Sequence, residues 1–229
     1  MPKLEQMPED HIYKAYGLYL LQPEHRFVKR LKRAHTPSLH GDRTWQSSFI
    51  LMDYLQHHPP QAGARVMEIG CGWGAAGVYC ARTFGSRVTS VDADKHVFPY
   101  LKLLEVLNDV EVESLHKPFE KLTTRRLAEE NLIVGADICF WDRMVKPMLN
   151  LVSRAIRGGT DRVVIADPGR PPFYELVDHC AKRKGLRAEL TGWYAVEPKR
   201  AHGEVLEVRA TSTAELAVGG VSVTAESGP

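Results

Sequence analysis

The stretch that most constrains this 229-residue chain is Val66-Met67-Glu68-Ile69-Gly70-Cys71-Gly72-Trp73-Gly74. Apolar residues run up to a dense glycine turn, and Ala75-Ala76-Gly77-Val78-Tyr79-Cys80-Ala81 continues with helical character. The order reads as strand, tight turn, helix. Glycine has no Cβ, so its backbone takes positive φ and can lie close against a ligand. The first turn of the next helix then points N–H groups at the same place. In open α/β sheets, such a turn at the end of the first strand is where nucleotide-like ligands bind.

Two ligand classes use this geometry. Gly72-x-Gly74-x-x-Gly77 alone fits the dinucleotide pattern. Glu68, two residues before Gly70, extends it to Glu-x-Gly-x-Gly-x-Gly. Arg87-Val88-Thr89-Ser90-Val91-Asp92 reads as a second strand ending in an acid, and Asp92 follows Gly70 by 22 positions, near the spacing of a ribose-binding carboxylate. Together these residues resemble motif I of the class I, seven-β-strand methyltransferases. The resemblance implies S-adenosylmethionine as cofactor and S-adenosylhomocysteine as product. It also implies a Rossmann-like α/β fold, a mainly parallel seven-stranded sheet in the order 3-2-1-4-5-7-6 flanked by helices. Gly70, Cys71, Gly72, Trp73 and Gly74 would form the cofactor loop, with Glu68 near the ammonium group and Asp92 and Ala93 at the ribose. A dinucleotide enzyme or a non-binding α/β domain is the alternative reading.

The rest of the composition bounds the setting. A hydrophobic fraction of 44% and a charged fraction of 25% are those of an ordinary globular domain. A net charge of +2 is too mild to argue for nucleic acid, so no DNA partner is expected. Cys71, Cys80, Cys139 and Cys180 are scattered without a C-x-x-C pair, so neither disulfides nor a metal site is expected. No apolar leader or membrane-length run is evident, and a cytoplasmic location is the expectation. We expect a helical extension over residues 1–40, a methyltransferase domain over 41–211, and a loose tail over 212–229.

In chain order, Tyr13, Tyr16 and Leu20 keep helical spacing, which predicts a helix in the first 24 residues. Arg26–Arg33 is basic on one face and apolar on another, either a solvated helix or a docking surface for an acidic protein. A helix from Trp45 to Leu55 follows, with Asp42 or Thr44 as N-cap and Trp45, Phe49, Met52 and Leu55 on one stripe. Trp45 would either hang over the cofactor pocket or join the core. The adjacent His57 and His58 end that helix at the surface. A helix passes through Pro99 to Asn108, and Val110–Leu115 alternates as a third strand. The turn His116–Glu120 would cover the adenine by the resemblance, through Phe119 and Glu120. Thr123–Asn131 reads as a helix, Ala136–Asp142 as strand four, and Lys146–Arg157 as a helix stopped by Gly158-Gly159. Strand five is Arg162–Asp167, followed by a helix to Lys184, strand six at Leu186–Thr191 and a last, antiparallel strand at Glu204–Arg209.

Beyond the carboxyl ends of the central strands, the glycine loop, Trp141-Asp142 and Asp167–Arg170 should converge. Asp142 is expected to face the transferred methyl, orienting an amine and sharing its departing proton; a helix N-cap is its alternative. Trp141 and Trp45 could hold a cationic amine or the sulfonium; for Trp141 the alternative is packing over the adenine. Asp167-Pro168-Gly169-Arg170-Pro171-Pro172-Phe173 resembles the Asp-Pro-Gly-Arg-Pro-x-Phe segment of the lysine methyltransferases of the electron-transfer flavoprotein β-subunit and their nicotinamide N-methylase-like bacterial relatives. Asp167 and Arg170 are accordingly substrate-side residues, or simply a turn in which the two pair with each other. That group has Asp-x-x-Tyr after strand four; Asp142-Arg143-Met144-Val145 keeps the acid and lacks the tyrosine. The resulting expectation is N-methylation of a protein lysine. Alternatives are a small amine acceptor, a metal-assisted O-methyltransferase using Asp142 and Asp167, and a non-catalytic cofactor-binding module.

Overall fold

The computed structural model describes residues 10–38, 40–41 and 43–211. It opens with a hairpin, β1 (Ile12–Ala15) and β2 (Leu18–Leu21), paired antiparallel. This corrects the predicted N-terminal helix. Tyr16 and Gly17 both take positive φ, 50° and 76°, which is the two-residue turn that matches strand twist. Ala15, Leu18 and Leu20 are fully buried in the same core as the sheet. The Tyr16 hydroxyl donates to Asp53 at 2.7 Å, and the Asn108 side chain bonds both the N–H and the C=O of Tyr19. The hairpin is therefore stitched to the main domain.

Helix α1 (Arg26–Ala34) forms as expected, burying Val28 and exposing Arg26, Lys29, Arg30 and Arg33. Helix α2 (Gln46–His57) starts at N-cap Trp45, which makes no side-chain cap bond, so Thr44 is not the cap. Asp42, the other expected cap, and the tail from residue 212 lie outside the described residues.

The sheet domain then alternates strand and helix. β3 (Arg65–Ile69), α3 (Ala75–Phe84), β4 (Arg87–Asp92), α4 (Phe98–Asn108) and β5 (Glu113–His116) build one half. A single helical turn, α5 (Thr124–Leu127), replaces the longer helix expected at Thr123–Asn131, and β5 starts three residues later than its alternation suggested. β6 (Leu132–Ala136), α6 (Asp142–Gly158), β7 (Arg162–Asp167) and α7 (Pro171–Ala181) build the other half. β8 (Leu186–Ala195) and β9 (Ala201–Ala210) close it as a long antiparallel pair.

The seven strands lie in the order β5-β4-β3-β6-β7-β9-β8, which is 3-2-1-4-5-7-6 counted from β3. β5 to β7 are parallel; β9 runs antiparallel to β7. Strand residues alternate between two cores, as a period of two requires. Val66, Leu132, Val134 and Val164 pack with α2 and α3, while Met67, Ile133, Val163 and Ile165 pack with α6 and α7. Burial on both faces explains why these strands read as continuous apolar runs. No helix among the described residues is long and apolar enough to cross a membrane.

Candidate cofactor and acceptor site

The glycine loop joins β3 to α3. Gly70, Gly72 and Gly74 all take left-handed φ, at 61°, 52° and 79°. A Cβ on Gly70 would meet Ile138 Cγ2 at 2.6 Å, whereas one on Gly72 would find nothing nearer than Gly41 Cα at 3.9 Å. Gly70 is thus required for packing, and Gly72 for backbone shape beside open space.

Two acids brace this loop. Glu68 is 4% exposed and accepts from Ser90 Oγ at 3.0 Å and from the N–H groups of Ala76 and Gly77. Burial pushes its carboxyl up to about 8, against the pull of those donors. Its oxygens cap the first turn of α3 from within, so it shapes the loop as well as bordering the cavity. Asp92, at the end of β4, accepts from Gly72 N–H at 3.0 Å and Asp94 N–H at 2.9 Å. Burial raises its carboxyl above the usual range while these donors oppose the rise. Asp94 in turn accepts from Ser38 Oγ at 2.8 Å, and the Tyr100 hydroxyl donates to His35 C=O at 2.6 Å. These bonds lay the segment between α1 and α2 against the loop.

The loop opens into a cavity of about 370 Å³ at the carboxyl ends of the parallel strands. The predicted residues Glu68, Gly70, Cys71, Gly72, Trp73 and Gly74 line it, with Asp92 and Ala93. So do Phe119, Trp45, Trp141 and Arg170. Trp73 itself is nearly buried and stacks on Tyr100, with ring centres 5.2 Å apart.

Three expected residues are placed elsewhere. Glu120 is exposed and borders a separate groove with Arg154 and Arg157 of α6. Asp142 is exposed in the first turn of α6, outside the cavity lining, while Trp141 takes the N-cap position. Asp167 is fully buried and accepts from Gly169 N–H at 2.9 Å, Arg170 N–H at 2.8 Å and the Arg170 guanidinium at 3.0 Å. Among the described residues no group of three or more His, Cys, Asp or Glu side chains is placed to hold a metal ion, which is what a metal-assisted reaction would need.

The difference traces to β6. It ends at Ala136, and Asp137 turns the chain with φ 61°. Asp and Asn tolerate this conformation better than other non-glycine residues. Ile138 then folds back into the space left by Gly70 and Gly135. The acid that emerges from the fourth strand of the domain is accordingly Asp137, which lines the cavity and ion-pairs with Arg170. Asp137-Ile138-Cys139-Phe140 restores the Asp-x-x-aromatic spacing, with Phe140 in place of tyrosine.

An aromatic mouth completes the site. His40 lies 5.3 Å from the Phe140 ring, 6.0 Å from Trp141 and 6.4 Å from Trp45. Trp45 Nε1–H donates to His40 C=O at 2.7 Å. Arg143 sits 4.1 Å over Trp141 and Arg43 5.1 Å over Trp45, on the outer side where Arg43, Trp141 and Arg143 are exposed. Sequence reasoning missed His40, Arg43, Asp137 and Phe140. Phe140 carried a signal, the aromatic three residues after an acid.

Sheet order, glycine loop and strand-end acid together define the class I methyltransferase fold, whose cofactor is S-adenosylmethionine. More narrowly, the chain belongs to the lysine methyltransferase family, whose model matches residues 31–171. It is 29% identical over 130 residues to the electron transfer flavoprotein beta subunit lysine methyltransferase of Xenopus laevis. That match covers 56% of this chain and 52% of the relative, so it spans about half the relative's length. Among solved structures, cofactor-bound Rv0187 from MTB superimposes with a TM-score of 0.56 at 17% identity, covering 80% of this chain and 87% of that one. Magnesium protoporphyrin IX methyltransferase from Synechocystis PCC 6803 with bound S-adenosylhomocysteine gives 0.55 at 12% identity, covering 83% and 90%. These likenesses are of fold.

The residues present fit S-adenosylmethionine. The cavity is of cofactor size, Gly72 leaves room for close approach to the backbone, and Asp92 keeps lone-pair capacity for a diol beside the bonds it accepts from the N–H groups of Gly72, Ala93 and Asp94. Phe119 and Ile138 add apolar lining suited to a base.

Proposed function

We propose that this protein transfers a methyl group from S-adenosylmethionine to the side-chain nitrogen of a lysine in another protein. The observation that carries the reading is the mouth itself: an acid at a strand end, Asp137, lines the same cavity as the glycine loop and the ring cluster of His40, Trp45, Phe140 and Trp141. Aromatic faces attract a cation, and a narrow apolar collar suits the alkyl stem of lysine.

S-adenosylmethionine supplies a methyl already activated on a sulfonium. The chain's work is to align the nucleophile and exclude water. Asp92 and the glycine loop hold the cofactor; the aromatic mouth strips water from the entering amine. Asp137 takes a hydrogen bond from the amine N–H and orients its lone pair. Its place at the strand end gives it the role expected of Asp142.

The exposed rim formed by Arg43, Trp141 and Arg143 favours a protein acceptor over one that must be enclosed. Helix α1 bears Lys29, Arg30, Lys32 and Arg33 and has no acid in its first turn, so the docked protein would present an acidic surface there. Protein acceptors are tested with tritiated S-adenosylmethionine, on unmethylated electron-transfer flavoprotein β-subunit and on lysate from cells lacking the gene. Label on lysine in a protein band is the expected result. Label confined to the small-molecule fraction would move the assignment to an amine metabolite. Cofactor binding without label in either fraction would leave a binding module.

A further inference from the structure

We propose that Arg170 is a positioning residue that holds the Asp137 carboxylate toward the acceptor amine and offsets its charge, so that the amine is bound without being kept protonated. This rests on Asp137 facing the acceptor, as argued above.

The geometry is a chain of three side chains anchored at its buried end. Asp167 closes β7 and is fully buried. One of its oxygens accepts from the N–H groups of Gly169 and Arg170, which curls the loop around it. Gly169 takes φ 92°, and Pro171 and Pro172 start α7 immediately after Arg170. The backbone of Arg170 therefore has little freedom. Its guanidinium bridges to the second oxygen of Asp167 at 3.0 Å and to Asp137 Oδ1. Asp137 is itself pinned by its N–H to Ala166 C=O at 2.9 Å. A rigid anchor on β7 thus fixes a side chain at the end of β6.

Charge gives this arrangement a purpose. A lysine ammonium cannot attack a methyl; its nitrogen must first give up a proton, which goes to water. A lone carboxylate at the mouth would hold the ammonium form. A carboxylate already paired with a guanidinium still accepts a hydrogen bond, because it has lone pairs to spare. It exerts a weaker field on the incoming cation. Arg170 also keeps Asp137 and Asp167 from repelling each other, two acids that face each other across one guanidinium.

The test compares wild type with Arg170→Gln, Arg170→Lys and the Asp137→Asn/Arg170→Gln double variant, all loaded with S-adenosylhomocysteine. The probe is n-butylammonium, a stand-in for the end of a lysine, titrated by calorimetry. Arg170→Gln should bind it at least about fivefold tighter than wild type, and the double variant should lose that gain. Arg170→Lys, which keeps the charge, should stay within about twofold of wild type. In turnover on a labelled protein acceptor, Arg170→Gln should lower kcat at least about tenfold with KM unchanged or lower. Equal binding in wild type and Arg170→Gln, or loss of binding and turnover together, would overturn the proposal and leave Arg170 a purely structural residue. Wild-type failure to methylate any protein is a different outcome: it removes the lysine reading, while the n-butylammonium titration still decides the role of Arg170.

Discussion

The two halves of the cavity are built from different parts of the amino acid. At the glycine loop, the shape comes mostly from main chain: three left-handed glycines, and two acids that accept from backbone N–H groups, Glu68 also from the Ser90 hydroxyl. At the acceptor mouth, it comes from side chains: four rings, two stacked arginines and the Asp137–Arg170 pair. A main-chain cradle suits a ligand that never changes. A side-chain mouth can be retuned by single substitutions, which is where acceptor choice within such a fold would be set.

A substitution confined to one half should leave the other half working. Asp137→Asn keeps the shape and removes the charge. Turnover should fall roughly a hundredfold, the scale of a lost proton-handling group, with S-adenosylmethionine affinity within about twofold of wild type. Steady-state kinetics with calorimetry of the cofactor would show it. Equal loss in both would mean that the acid belongs to the cofactor half after all.

Asp92→Ala is the reciprocal change. It removes the acceptor for Gly72 and Asp94 N–H groups and the acid that we assign to the cofactor's ribose. Cofactor affinity should drop about ten- to a hundredfold, the range of one charge-assisted hydrogen bond. Unchanged affinity by calorimetry would contradict the placement of the cofactor on β4.

The same division explains what the sequence made legible. β4 and β7 stand at their expected bounds, Arg87–Asp92 and Arg162–Asp167, because a charged start, a short buried run and a terminal acid leave one reading. The glycine loop was legible for a similar reason: dense glycine after a strand has few uses. The end of β6 was not. Ile138 and Cys139 are buried in a loop, at 5% and 0% exposure, so their apolar character reports burial rather than strand. The break depends on a non-glycine residue, Asp137, in a left-handed conformation, and no local pattern announces that. The N-terminal hairpin hid behind a helical coincidence, since Tyr13, Tyr16 and Leu20 satisfy a period of 3.6 while Gly17 marks the turn. Mouth residues such as His40 and Arg43 come from a connecting segment whose path is set by Asp94, Tyr100 and Trp45, all distant from any motif.

Glu68 sharpens the contrast from the structural side. Its carboxyl ordinarily titrates at 4.5 and is pushed to about 8 in the fold. Between those values the unfolded chain has lost the proton and the folded chain keeps it. The folded state then binds more protons, so stability falls as pH rises through this window, by up to about 1.4 kcal/mol per pH unit. Glu68→Gln cannot ionise and keeps an acceptor oxygen for Ser90 and the α3 N–H groups. Thermal unfolding from pH 5 to pH 8 should show a flatter profile in the variant. An unchanged slope would mean that Glu68 is ionised in the fold.

The smallest expected effect falls on Asp142, the residue that the motif pattern alone would have chosen. It is exposed at the start of α6, outside the cavity. Asp142→Asn leaves the mouth, the Asp137–Arg170 pair and the glycine loop untouched. What it removes is a favourable charge in the first turn of a helix, worth about 0.3–1 kcal/mol. Turnover within about twofold of wild type and a slightly lower melting temperature are the expected results. A large loss of turnover with normal folding would return the acceptor contact to Asp142. The strand-end acid would then be a brace like Asp167, and the division between a main-chain cofactor half and a side-chain acceptor half would have to be redrawn at the start of α6.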